Sequence, residues 1–240
     1  MNVPLGAYLA AWRFYRRYFR YSVEGFEHLT GGGSALIVGY HGRPVAYDLC
    51  ILLVEVYERL GYFPHGVVHA AAQEVRGLRW LSDGLGFVSG DGEAMARAVA
   101  RGEHVVVLPG GTREGCRSFR SRYQVDWGRR MGYLRLALKY GLPVVPVAAR
   151  GVDDAYLGLN DGHAWGKRLN MPARLPAWLG LGPLGPWPLS PPFPVRIKQR
   201  VGVPIHLPPE LDPRDDAAMA HWHGRVTEAV QALLTAEGAR

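Results

Sequence analysis

Cysteine is nearly missing from this 240-residue chain: only Cys50 and Cys116 occur, far apart in sequence. Two distant thiols argue against a disulfide framework or a thiolate metal site and favour a reducing compartment. Lysine is almost as scarce. Lys139, Lys167 and Lys198 are the whole set, so arginine carries nearly all of the formal charge of +7. There is no run of about 18 uncharged apolar residues, which argues against a spanning helix. The first residues lack the apolar core and small-residue cleavage site of a secretory leader. No Gly-x-Ser-x-Gly elbow marks a serine hydrolase. No cluster has zinc-type ligand spacing, so no metal is expected, and no nucleic-acid recognition module stands out. What remains is a globular chain, 48% hydrophobic. It is long enough for one domain with a sizeable core, and its basic balance favours anionic partners.

Strand and helix patterns alternate along the chain. Leu5 to Tyr21 reads as a basic, aromatic helix, with Leu5, Tyr8, Leu9, Trp12 and Phe19 on one side and Arg13, Arg16, Arg17 and Arg20 beside them. That is the composition of an interfacial anchor; the alternative is a helix packed on its own domain with a solvated arginine edge. Short strands follow over Tyr21–Leu29 and Ala35–Tyr40, parted by Gly31-Gly32-Gly33 and read as a strand pair. A helix over Asp48–Leu60 repeats Leu49, Leu52, Leu53, Val56 and Leu60 at helical spacing and stops at Gly61. Further strands are expected at Gly66–Ala70, Gly84–Ser89, His104–Leu108 and Pro143–Ala148. Further helices are expected around Leu78 and Leu81, over Glu93–Arg101 (capped by Asp91) and over Arg129–Tyr140. Continuous apolar strands between helices indicate an α/β fold with a mostly parallel sheet covered by helices. Asn170 to Pro194 turns rich in Pro, Gly, Leu and Trp, as an ordered loop over the core or a second membrane contact. A strand over Val195–Val201 and a terminal helix after Pro213 and Asp215, with Met219, Trp222, Val226, Val230, Leu233 and Leu234 inward, complete the chain. The expected division is residues 1–21 as the amphipathic helix and 22–240 as a single domain.

Two strand ends carry the chemistry. The first delivers His41, with Asp48 seven positions on. A neutral imidazole at a strand mouth can take the proton of an attacking alcohol, and a carboxylate on its other nitrogen fixes the tautomer and stabilises the imidazolium. The second ends in Pro109-Gly110-Gly111-Thr112-Arg113-Glu114. Its glycines allow close backbone approach, Arg113 can pair with a phosphate, and Glu114 can hold Arg113 or bind a hydroxyl. Together they point to acyl transfer onto a hydroxyl.

In this arrangement the chain resembles the phospholipid/glycerol acyltransferase superfamily, from about Tyr21 to Leu234. Val23-x-Gly25-x-Glu27-x-Leu29 resembles the strand before the family's His block. Pro109 to Arg113 resembles its Phe-Pro-Glu-Gly-Thr-Arg block, Leu142 to Val147 its fourth block, and Val201-Gly202-Val203-Pro204-Ile205 its closing turn. The departures are informative. Six residues separate His41 from Asp48 where the family has four, and Ala46 stands where the acid would fall. The second block, Gly86 to Asp91, is followed by Gly92 instead of a basic residue. Gly110 replaces a glutamate, so that Pro109-Gly110-Gly111-x-x-Glu114 is similar to the diacylglycerol-acyltransferase-like branch, as is Asp126-Trp127-Gly128-Arg129-Arg130-x-Gly132.

The resemblance implies a membrane-associated O-acyltransferase of lipid metabolism on the cytoplasmic face of a membrane. It would need no bound cofactor and would take its acyl chain from acyl-CoA or acyl-ACP to a glycerolipid or lysophospholipid. His41 and Asp48 would be catalytic. Gly110, Gly111, Thr112, Arg113 and Glu114 would bind substrate, with backbone N–H groups near Gly110 and Gly111 meeting the oxyanion. Its partners would be the lipid acceptor, the thioester and anionic lipid, with no nucleic acid. The rival readings are a catalytically impaired peripheral lipid-binding protein and an acyl ester or thioester hydrolase.

Overall fold

The computed structural model describes residues 3–66, 92–171 and 175–236. The chain opens with helix α1 (Val3–Tyr18), strand β1 (Ser22–Glu24) and a 3-10 turn (Phe26–Leu29), then strand β2 (Leu36–Gly39). Helix α2 (Tyr47–Leu60), β3 (His65–Gly66), α3 (Glu93–Ala100) and β4 (Val105–Val107) follow. Next come a one-turn helix α4 (Thr112–Gly115), α5 (Gly132–Tyr140), β5 (Val144–Arg150) and a second 3-10 turn (Val152–Ala155). The last part contains β6 (Leu157–Gly158), α6 (Gly162–Arg168), β7 (Gly180–Gly182), β8 (Gly185–Pro186), β9 (Lys198–Val201) and α7 (Asp216–Thr235).

Among the described residues six strands form the main sheet in the order β1-β9-β5-β2-β4-β3, and β6-β7-β8 form a small one. Within the main sheet only the β5–β9 pair is antiparallel. The α/β expectation therefore holds. The central strands β2 and β5 are buried on both faces, with Leu36, Ile37, Val38, Val144 and Val145 inaccessible. Such strands read as unbroken apolar runs because helices cover both sides.

Several boundaries differ from the sequence reading. Gly25 ends β1 at Glu24 and turns the chain into the 3-10 segment, so Tyr21–Leu29 is not one strand. Nor does β1 pair with β2: it lies beside β9, three strands away. Helix α5 starts at Gly132 rather than Arg129, because Trp127 to Arg130 forms a turn closed by Arg130 N–H donating to Trp127 O at 3.2 Å. The expected strand Gly84–Ser89, the helix around Leu78 and Leu81, the Asp91 cap and most of Gly66–Ala70 lie outside the described residues.

The N-terminal helix is packed on its own domain along one side. Leu9 and Phe19 are fully buried and Tyr8 nearly so. Phe19 stacks on Tyr15 and meets Tyr47 edge-on at 5.1 Å. Arg13 pairs with Glu58 at 2.7 Å, and Arg16 with Glu55 at 2.9 Å and Glu58 at 2.5 Å. The aromatic face expected at the headgroup level is thus packed on α2, and two of the four arginines meet carboxylates of the same chain.

Candidate active site

Strand β2 carries His41 just beyond its C-terminal end, where open α/β sheets place their ligands. Beyond it the chain turns sharply: Arg43 and Ala46 both take positive φ, +49° each, and Ala46 N–H donates to Arg43 O at 3.1 Å. This turn absorbs the two extra residues between His41 and Asp48. It leaves Asp48 in the first turn of α2, 2% exposed.

The imidazole of His41 is half-buried, with Nδ1 wholly inside. Burial lowers its pKa to about 4, against which the nearby backbone carbonyls of His41 and Arg43 act weakly in the opposite direction. The ring is therefore neutral at physiological pH, as a base must be before it accepts a proton. Gly115 makes the room it occupies: a Cβ there would stand 2.9 Å from Arg43 O and 3.0 Å from His41 Nδ1.

No hydrogen bond joins Asp48 to His41, and among the described residues both His41 Nδ1 and Asp48 Oδ1 lack a hydrogen-bond partner. Burial pushes the Asp48 carboxyl up to about 8, with Asp153 and Glu114 adding repulsion against backbone N–H groups that favour the charge. An acid in that state is mostly protonated at pH 7.

Glu114 takes a more central part than the sequence indicates. It is fully buried and does not hold Arg113. Its Oε2 accepts the backbone N–H of His41 at 3.0 Å and Trp127 Nε1–H at 3.3 Å, while Oε1 accepts Asp126 N–H at 2.8 Å. Burial raises its pKa, and these donors and Arg117 pull it back. The Pro-Gly-Gly turn wraps this carboxylate so closely that a Cβ on Gly110 would fall 2.0 Å from Oε2. Gly110 and Glu114 are thus one device: the glycine exists so that the carboxylate can reach the strand end that bears His41. Arg130 closes the turn from outside, donating to Pro109 O and Gly110 O at 3.4 and 3.3 Å.

The other expected ligands are less committed. Arg113 is exposed and paired with Asp126 at 2.9 Å. Thr112 Oγ1 lies 3.3 Å from His163 Nε2. Gly111 N–H already donates to Leu108 O at 3.1 Å, so it is not a free oxyanion donor. Arg113 and Asp126 also line a cavity of about 350 Å³ with Arg117, Ser121, Gln124 and Asp161. Its charged lining is balanced, two arginines against two aspartates. Among the described residues there is no metal-binding cluster.

Behind the site lies a buried polar network that sequence reasoning missed. Arg43, fully buried, donates to Asp153 O at 2.6 Å and Arg117 O at 3.0 Å. Asp153 accepts from Tyr40 Oη–H at 2.5 Å and Tyr123 N–H at 2.7 Å. Arg117 donates to Glu114 O at 2.8 Å, Ser121 O at 3.0 Å and Gln124 O. Only the place of Arg43 beside His41 marks any of these in the sequence.

Comparison with known proteins agrees with this geometry. Residues 8–238 match the family described as diacylglycerol acyltransferase. The chain belongs to the diacylglycerol acyltransferase family. That membership sets it among the acyltransferases and settles the branch toward which Pro109-Gly110-Gly111-x-x-Glu114 leaned. Among its relatives is the Bos taurus protein named DGAT1/2-independent enzyme synthesizing storage lipids, 25% identical over 89% of this chain and 59% of that protein. The Gallus gallus protein of the same name is 28% identical over 90% of this chain and 59% of its own length. The chain therefore spans about three fifths of these curated relatives. Its fold is similar to that of the Thermotoga maritima 1-acyl-sn-glycerophosphate (LPA) acyltransferase, PlsC. The TM-score is 0.52 at 16% identity, covering all of this chain and 86% of the other.

Proposed function

We propose that this member of the diacylglycerol acyltransferase family moves a fatty acyl chain from a thioester, on coenzyme A or acyl carrier protein, to the hydroxyl of a neutral glycerolipid at a membrane surface. The observation that carries the reading is the neutral His41 imidazole at the mouth of β2, held by Glu114 through its own backbone N–H. In the reaction His41 takes the hydroxyl proton as the oxygen attacks the thioester carbonyl. The tetrahedral intermediate collapses, the C–S bond breaks, and the proton passes to the departing thiolate. A neutral acceptor is favoured over a phosphorylated one because the cations nearby are already engaged. Each faces a carboxylate of the same chain: Arg43 lies 3.9 Å from Asp153, Arg117 3.4 Å from Glu114 and Arg113 2.9 Å from Asp126, although Nη2 of Arg43 and of Arg117 makes no hydrogen bond among the described residues.

The test is incubation of purified protein with labelled acyl-CoA or acyl-ACP and a panel of hydroxyl acceptors, followed by lipid extraction. A labelled neutral lipid is expected, and His41→Ala should lower its formation by about two to four orders of magnitude. Turnover equal to the parent in His41→Ala would overturn the mechanism. Release of free fatty acid without a labelled ester would favour a hydrolase. Specific binding of lipid with no turnover would favour the catalytically impaired lipid-binding protein.

A further inference from the structure

With α1 packed against α2, the contact with lipid needs another surface. Of the eleven large apolar side chains exposed among the described residues, nine lie between Leu157 and Leu189. They occur as neighbours. Trp165 on α6 and Leu169 just past its end are one turn apart, with Leu169 N–H donating to Trp165 O at 3.0 Å. Leu184 and Leu189 stand at the β7–β8 hairpin, 80% and 87% exposed, joined by Leu184 N–H donating to Ser190 Oγ at 3.0 Å. The charge pattern is as uneven. From Gly162 to Pro209 the sequence contains no aspartate or glutamate, whereas Lys167, Arg168 and Arg196 are exposed there. Large exposed apolar area mixed with one sign of charge marks an interaction surface.

The same segment is held to the residues that follow α4. Trp178 Nε1–H donates to Arg117 O at 3.0 Å and Gly162 N–H donates to Cys116 O at 2.8 Å. We infer that the face formed by α6 and the β7–β8 hairpin, and not α1, docks the protein on an anionic lipid leaflet. This inference deepens the acyltransferase reading by naming the surface through which a membrane-resident acceptor approaches His41. Leucine and tryptophan tips enter the headgroup and acyl boundary while lysine and arginine meet phosphate oxygens. A second copy of the chain is a poorer occupant. A two-fold contact sets a patch against itself, and here the exposed cations Lys167, Arg168 and Arg196 would outnumber the neighbouring Asp161 carboxylate at the start of α6.

The experiment is flotation with vesicles of phosphatidylcholine mixed with phosphatidylglycerol, and with phosphatidylcholine alone. The variants are Leu184→Ser with Leu189→Ser, Lys167→Gln with Arg168→Gln, and, on α1, Phe14→Ser with Arg17→Gln. The parent should float with the anionic vesicles. The Lys167/Arg168 pair should lose roughly thirtyfold in affinity, about fivefold for each cation removed. The leucine pair should lose at least as much, and the α1 pair should change little. Thermal unfolding of each variant checks that it remains folded. A parent that does not float, or patch variants that float like the parent, or release by the α1 pair alone, would overturn the inference. So would patch variants that turn a dimer into a monomer in sedimentation while still floating. If the patch variants are released but no acyl transfer is found with a dispersed short-chain donor and acceptor, the surface stands and the catalytic reading falls.

Discussion

At the scale of single residues, the two carboxylates near the site differ in what they bond: Glu114 accepts the His41 backbone N–H, and among the described residues Asp48 Oδ1 has no hydrogen-bond partner. Asp48 sits at a helix start, buried and raised to about 8. Between its ordinary value of 3.8 and 8 the folded state keeps a proton that the unfolded chain releases, so its burial costs stability increasingly as pH rises through that window. Asp48→Asn removes the ionisation. We expect it to raise the unfolding temperature by several degrees at pH 8.5, to leave it unchanged near pH 4, and to keep turnover at pH 7 within a fewfold of the parent. A hundredfold fall in kcat at constant KM would instead show that Asp48 acts on His41. Glu114 is the opposite case. Glu114→Gln keeps the shape but turns an amide N–H₂ toward donors that need acceptors, so kcat should fall about ten- to a hundredfold with donor KM unchanged. Gly110→Ala should do the same, since its Cβ would displace that carboxylate. If both variants match the parent in kcat, Glu114 does not position His41. His41, the glycine pair and Glu114 were legible in the sequence because they cluster at strand ends. Their connections were not: nothing in a Pro-Gly-Gly-x-x-Glu spacing says that the glutamate turns back to the previous strand end, 73 residues away.

At the scale of elements, periodicity identified the buried faces well and their partners poorly. The apolar repeat of α2 and the unbroken runs of β2 and β5 appear as expected. For α1 the same pattern of Trp, Phe and Arg fits a bilayer and a neighbouring helix equally, and only the carboxylates of α2 decide between them. Glu55 and Glu58 lie one turn apart and collect Arg13 and Arg16. Replacing both arginines with glutamine should lower stability by only about 1–2 kcal/mol, since the pairs are partly exposed. Phe19→Ala should cost about 3–5 kcal/mol, because it empties a fully buried position. Denaturant titration separates the two cases. A smaller loss for Phe19→Ala than for the arginine pair would mean that α1 is not part of the core.

At the scale of the whole molecule, two ends of the sheet respond to acid. At the end opposite His41, His104 accepts Ala35 N–H on Nδ1 at 3.2 Å and donates from Nε2 to Leu29 O at 2.9 Å, an arrangement open only to the neutral ring. Burial lowers its pKa, as it lowers that of His41. A histidine whose folded value is depressed contributes stability that is present above about pH 6.5 and lost as pH falls below it. In an Asp48→Asn background, where the opposing contribution of Asp48 is removed, unfolding free energy should therefore drop between pH 7 and pH 5, and a further His104→Asn change should flatten part of that slope; an unaltered slope would exclude His104 as a source. One last consequence concerns time rather than energy. Strand β1 pairs with β9, and Glu24 meets Arg200 at 3.2 Å across 176 residues of sequence. During synthesis β1 leaves the ribosome long before β9 and has no strand to join until almost the whole sheet has been made. The edge of β5 that β9 will fill stays open from its own synthesis until β9 is made. Arrest of translation before residue 198 should thus leave a nascent chain that proteases cut readily around β1, and release of β9 should protect it.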